Sequence, residues 1–401
     1  MLSLSVALPL LLCVTLLATC VKRIWFHPLS KHPGPRLWAA SRIPYVVSLL
    51  RGTLNEDMLG FHLKYGDIVR LAPNELSFAV EEGWRDIYMH RPGHKETQKD
   101  KVWYIAPNDM PQNIVTTMDI ISDLALGESF HCLDGSTYHP WVRTLFYFFK
   151  GMIIVAAARF FPATEFLLQR LIPVHILERQ RQHTEFTNEK IAQRLEFGTS
   201  RPDLITPFLK AMEKDKTGDK MSLGEIQSTF AIILVAGSET TATTLLGVFY
   251  KLASHPEKQT KLWTELEKRF AHAENVTVNG TKEIPYLDAV INEALRLCFA
   301  VPGGLPRVVP EGGDTYAGHH VPEGTSISIR PYVVFHSSTY FHKAWDYVPE
   351  RWLPADQRPK EHAADRLAAC QPFNVGPTNC IGKPLAWAEM RLLVAKIILT
   401  F

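Results

Sequence analysis

The sequence predicts a mainly α-helical fold with small β-sheets, an α+β arrangement, preceded by one apolar helix. Three observations predict it. Four stretches carry the 3.6-residue apolar period of amphipathic or buried helices, at 172–195, 222–253, 286–297 and 385–399. Two tracts, 65–80 and 308–329, hold short strand-like runs cut by Gly and Pro. The first 21 residues contain no charged side chain and are rich in Leu and Val.

The chain has 401 residues, 46% hydrophobic and 21% charged, which is ample material for a large core. A net charge of +2 gives no electrostatic case for nucleic acid. The six cysteines (13, 20, 132, 298, 370 and 380) form no close pair of metal-ligand spacing. That favours reduced thiols in a cytosol-facing body over a disulfide framework.

Residues 1–21 reach the ~20 residues needed to span a bilayer, and Lys22 and Arg23 follow at once. By the positive-inside bias the body stays in the cytoplasm and the N-terminus is lumenal, as in a single-pass anchor of the endoplasmic reticulum membrane. A cleaved secretory peptide competes with this reading. The missing basic segment before the apolar run, and Ala18-Thr19-Cys20 as a poor cleavage site, argue for an anchor. Residues 22–35 form a proline-punctuated hinge, with His27-Pro28-Leu29-Ser30-Lys31-His32-Pro33-Gly34-Pro35 expected to be neither helix nor central strand. Residues 36–401 follow as one body, in which no linker marks a boundary.

Within the body, residues 65–71 and 74–80 read as a hairpin around Pro73, and Glu81 to His90 as a helix. The tract from Gly93 to Thr117 is polar and without clear period. Asp119 to Phe130 regains an apolar helical pattern, and Trp141 to Phe161 is strongly aromatic and aliphatic, suited to a helix with a membrane-facing or substrate-access surface. The charge-rich run from Ile172 to Leu195 reads as a helix with a solvated face. Asn275-Val276-Thr277 and Asn279-Gly280-Thr281 match the glycosylation pattern, which is silent in a cytosolic body.

Ser222-Leu223-Gly224-Glu225 fits a capping box opening a helix of ~30 residues, or ~45 Å at 1.5 Å per residue. Its apolar run Phe230–Ala236 is interrupted by Gly237-Ser238-Glu239-Thr240-Thr241, a locally costly insertion that marks either function or a surface stripe passing through. On the helix 286–297, Glu293 and Arg296 are three apart and share a face, as solvated ion pairs also do.

The feature with most chemistry is Phe373-Asn374-Val375-Gly376-Pro377-Thr378-Asn379-Cys380-Ile381-Gly382. Glycine and proline shape a loop that presents Cys380 just before a helix, where free N–H groups and the positive dipole end favour a thiolate. Such a thiolate can serve as an axial ligand to haem iron, although a small buried cysteine in a turn fits the same residues.

The spacing Phe-x-x-Gly-x-x-x-Cys-x-Gly resembles the haem-thiolate signature of the cytochrome P450 family. The resemblance extends to Ala-Gly-x-Glu-Thr-Thr at 236–241, to Glu293-x-x-Arg296, and to Pro349-Glu350-Arg351-Trp352 ahead of the cysteine loop. It implies a cytochrome P450-like fold and a monooxygenase that inserts one oxygen atom from O2 into an apolar small molecule. Cys380 is then the axial ligand of haem b, and Phe373, Gly376 and Gly382 shape its loop. Arg307, after Pro302-Gly303-Gly304-Leu305-Pro306, contacts a propionate. Thr240 is implied to hydrogen-bond the oxygen being activated, and Glu239 to relay protons to it. Glu293, Arg296 and Arg351 form a charged network with a folding role. Electrons come from NADPH through a membrane-bound reductase. Residues 119–125 and 138–142 look most like fungal membrane-bound enzymes of secondary metabolism.

Three departures from the family pattern stand out. No arginine occurs between Arg91 and Arg143, and Trp103 is followed four residues later by Pro107, so the family's Trp-x-x-x-Arg helix is expected to be deleted. Only 26 residues separate Pro92 from Asp119. Thr378 stands where the family places an arginine. The chain also stops 21 residues after Cys380, short of the family's closing strands. These departures keep open a second reading, a truncated or mis-spliced, haem-poor and inactive membrane-anchored product.

Overall fold

The computed structural model describes residues 4–104, 115–126, 153–170, 174–196, 198, 203–207, 209 and 222–401. The motif at 138–142, Cys132 and most of the aromatic run 141–161 lie outside the described residues. The chain divides into two compact units, each assembled from separated segments.

The first unit comprises Met1–Tyr104, Val301–Asp346 and Lys360–Cys380. It opens with the apolar helix Leu4–Trp25, of 22 residues. Arg23 at its end donates from Nη1 to the carbonyl of Ala40 (3.1 Å). The hinge departs from expectation, because Pro28–Lys31 forms a 3₁₀ turn. Proline at the first helical position forfeits no hydrogen bond, and the Nδ1 of His27 accepts from the N–H of Leu29 (3.1 Å). The hinge is then pinned to the sheet, with the N–H of Arg70 donating to the carbonyl of Pro33 (2.8 Å).

That sheet has five strands in the order β1 (Ile68–Ala72), β2 (Glu75–Phe78), β7 (Ser326–Ile329), β4 (Arg307–Val308) and β3 (Gln98–Lys99). β1 and β2 form the predicted hairpin, pairing Ile68 with Phe78. β2 pairs parallel to β7, Leu76 opposite Ile327. Every residue of β1, β2 and β7 is buried, including the polar Arg70, Glu75, Ser77, Ser326 and Ser328, so both faces of these strands are covered by protein. A separate hairpin, β5 (Asp314–Tyr316) with β6 (His319–Val321), turns at Ala317 and Gly318, both at positive φ. Buried Arg330 bonds Glu75 of β2 (Nη2 to Oε1, 2.5 Å), and Glu75 also pairs with Arg42.

The second unit comprises Ile105–Ala300, Tyr347–Pro359 and Ile381–Phe401. Its axis is the 32-residue helix Leu223–Ser254. The capping box at Ser222 and Glu225 is formed in both directions. Phe230, Leu234, Val248 and Leu252 are buried along it, so this is a core helix despite a length and apolarity sufficient to cross a membrane. The helix runs unbroken through Gly237–Thr241: the costly segment interrupts the apolar pattern and leaves the backbone intact. Helix Val115–Leu126 packs closely there, since a Cβ on Gly237 would come within 2.9 Å of the Ile121 side chain. Helices Pro285–Leu297 and Lys383–Thr400 also pack against the long helix. The charge-rich run is the helix Val174–Glu196.

Candidate active site

In the first unit, the cysteine loop owes its shape to two residues at positive φ, Asn374 (58°) and Gly376 (67°). Gly376 admits no other side chain, because a Cβ would lie 2.7 Å from the Tyr88 carbonyl oxygen. A 3₁₀ turn over Gly376–Thr378 follows, and the N–H of Cys380 donates back to the carbonyl of Phe373 (2.8 Å). Thr378, the residue in place of arginine, locks the loop through its hydroxyl. It accepts from Nδ2 of Asn374 (3.2 Å) and donates to the carbonyl of Val375 (3.4 Å). The thiol of Cys380 is free and exposed, and Ile381 beside it is 92% exposed. Gly382 is the N-cap of the helix Lys383–Thr400.

Arg307 is buried on β4, its guanidinium 5.9 Å from the centroid of the Tyr88 ring. It borders a cavity of about 40 Å³ together with Pro377 and Thr378 of the cysteine loop. Two predicted features thus meet in one unit, a cationic side chain and the loop that carries the thiol.

In the second unit, Glu239 and Thr240 occupy the middle of the long helix. Thr240 Oγ1 donates to the carbonyl of Ala236 (2.5 Å). Glu239 Oε1 accepts from the hydroxyl of Thr243 (3.2 Å), while its Oε2 is buried with no hydrogen-bond partner. Burial pushes the Glu239 carboxyl up, and the Thr243 bond offsets part of that shift.

The glutamate network is complete and fully buried, with Glu293, Arg296 and Arg351 all at 0% exposure. Glu293 Oε1 accepts from Arg296 Nη2 (2.7 Å), Arg351 Nε (3.1 Å) and the N–H of Val348 (3.0 Å). Its Oε2 accepts from Arg296 Nε (2.9 Å) and from Trp352 Nε1 (2.8 Å), a partner the sequence did not suggest. Burial disfavours its ionised form, but the two guanidiniums and the backbone donor outweigh this and hold Glu293 below the usual carboxylate range.

Sequence reasoning missed Glu389. It sits on the helix after the cysteine, buried, with neither carboxyl oxygen hydrogen-bonded. Burial alone pushes it up to about 7. The available signal was positional: Glu389 adjoins buried Met390 and lies one helical turn before Leu393.

A glycine-cradled cysteine loop, an acid–threonine segment in a core helix and a buried Glu–Arg–Arg network together define the haem-thiolate class of oxygen-activating proteins. Sequence comparison agrees: the family description "Cytochrome P450" matches residues 94–401, about three quarters of the chain, and the chain belongs to that family. It is 36% identical to cytochrome P450 monooxygenase lcsI of Purpureocillium lilacinum, over 94% of this chain and 84% of that protein. It is 33% identical to trichothecene C-15 hydroxylase of Fusarium sporotrichioides, over 96% and 89%. Identity to versicolorin B desaturase of Aspergillus parasiticus is also 33%, over 94% and 87%. The protein is therefore an oxidoreductase, a monooxygenase of a small-molecule metabolite, and its family implies haem-thiolate iron and a redox partner. The alignment with the first relative is 443 residues long but draws on 94% of a 401-residue chain, about 377 residues, so some 66 of its columns face gaps here.

Proposed function

We propose that the chain is a haem b monooxygenase, held at the endoplasmic reticulum membrane by its first helix with its body in the cytoplasm. It inserts one oxygen atom from O2 into an apolar small molecule of fungal secondary metabolism. The observation that carries this reading is the Cys380 loop. A free, exposed thiol next to an almost fully exposed isoleucine suits the underside of a flat, apolar macrocycle with iron at its centre. When bound, haem supplies O2 activation, with electrons drawn from NADPH through a membrane-bound reductase.

The chain's own residues would do the rest. Asn374, Gly376 and Thr378 hold the loop so that the thiol is presented without rearrangement. Arg307 supplies a buried positive charge suited to a propionate. Glu239, pushed up by burial, holds a proton closer to neutral pH than an exposed carboxyl does, and its unpartnered Oε2 is the atom from which to deliver it. Thr240 donates its own proton to Ala236, leaving its oxygen lone pairs to accept one from a neighbour.

The test is the reduced, carbon-monoxide difference spectrum of the expressed chain. A thiolate-type Soret band is expected, and Cys380→Ser should abolish it; an unchanged band in that variant refutes the ligand assignment. Glu239→Gln should keep the band and slow turnover by about 10²-fold or more.

A haem-poor product is the second reading. The 66 columns without a residue here and the neutral Thr378 favour it. Hemin titration of the unloaded protein separates the two: failure to saturate at micromolar hemin selects the haem-poor form.

A further inference from the structure

The first unit also holds a feature that the monooxygenase reading does not use. A pocket of about 480 Å³ is lined by Lys31, His32 and Pro33 of the hinge, by Asp67, by Glu82 and by His319 at the start of β6. His32 is 7% exposed, and its Nε2 is buried with no hydrogen-bond partner. An imidazole nitrogen left in that condition is costly and calls for a partner. The ring of His319 stands 5.8 Å from that of His32, centroid to centroid, tilted by 57°.

We propose that His32 and His319 form a two-histidine site for a divalent transition-metal ion, Zn²⁺ being the probe of choice, which staples the hinge to the β5–β6 hairpin. Two imidazoles on one ion, each with a metal–nitrogen bond of about 2.05 Å, place their ring centroids about 5.2 Å apart at the tetrahedral angle and about 6.4 Å apart when opposed. The observed 5.8 Å lies inside that window. His319 is exposed, so its ring can turn to complete the geometry at no packing cost.

Lys31 and Arg70 oppose a cation, and the carboxylates of Asp67 and Glu82 on the pocket wall offset them. Among the described residues no three imidazole, thiol or carboxylate groups gather at metal-binding distance, so water fills the remaining positions. Imidazole ligation selects Zn²⁺, Ni²⁺ or Cu²⁺ over Mg²⁺ and Ca²⁺.

The experiment uses the full chain, stripped of metal with a chelator and titrated with Zn²⁺. Equilibrium dialysis gives the stoichiometry and thermal unfolding the stabilisation, for wild type and for His319→Ala. The surface variant should unfold like wild type in chelator, bind one ion fewer, and lose the Zn²⁺-dependent rise in unfolding temperature. At Zn²⁺ a hundredfold above Kd, the wild-type folded-to-unfolded ratio should rise about 100-fold, and Mg²⁺ should have no effect. Equal stoichiometry and an equal temperature rise in the two proteins would overturn the proposal. His32→Gln is the second variant; if it does not fold, His319→Ala alone decides. The readouts are independent of haem, so their failure leaves the monooxygenase reading untouched.

Discussion

Glu293 and Glu389 lie in the same unit, both buried, on helices that pack against the same long helix. Their chemistry is opposite. Glu293 accepts five hydrogen bonds and is held ionised by two guanidiniums. Glu389 accepts none, and burial drives it toward the neutral acid, to about 7. Depth in the core does not fix the state of a carboxylate; the donors around it do.

The largest test of this contrast is Glu293→Gln. It leaves Arg296 and Arg351 buried without their counter-charge and should cost about 3–5 kcal/mol, measured by urea unfolding. A cost under 1 kcal/mol would show the network to be dispensable. Glu389 should behave in the opposite sense. Its pKa is raised in the folded state from 4.5 to about 7, so its contribution is complete below 4.5 and lost as pH rises through 7. The folded state should therefore weaken by about 3 kcal/mol between pH 4.5 and pH 9 from this group alone, and Glu389→Gln should flatten that slope. A slope unchanged in the variant would place the titration elsewhere.

Gly376→Ala is a control in which no charge changes. Strain at positive φ and the contact with Tyr88 should cost about 2 kcal/mol, independent of pH. The smallest effect belongs to a carboxylate that is partnered at the surface. Ser222→Ala removes one half of the capping box with Glu225 and should cost about 1 kcal/mol, read as a small drop in unfolding temperature.

Local patterns carried much of this structure into the sequence. The capping box, the β1–β2 hairpin, the long helix and the Glu293–Arg296 pair all rest on contacts within a few residues, where periodicity and turn chemistry speak directly. Trp352 could not be seen as a fifth donor to Glu293, because its indole comes from 59 residues away. The hinge was misjudged at Pro28–Lys31, where proline at the first turn position permits a 3₁₀ helix. The polar insertion at Gly237–Thr241 is locally costly for a helix when read from the sequence alone. Thr240 bonding back to Ala236 and Thr244 bonding back to Thr240 instead absorb the hydroxyls within a regular one. At the cysteine loop the spacing pointed to the ligand, but the locking role of Thr378 became visible only with the left-handed turn at Asn374 in place.

The parallel pairing of β2 with β7 has a consequence for synthesis in the cell. Leu76 and Ile327 face each other across 251 positions of chain. At about 5–20 residues per second, translation leaves β2 without that neighbour for roughly 10–50 seconds. During that interval one edge of a hairpin that is buried throughout in the finished fold waits uncovered, competent to pair with any other extended segment. The first unit is thus a high-contact-order body that closes late. Its yield in a heterologous host should respond more to elongation rate and chaperone supply than to the stability of the finished fold.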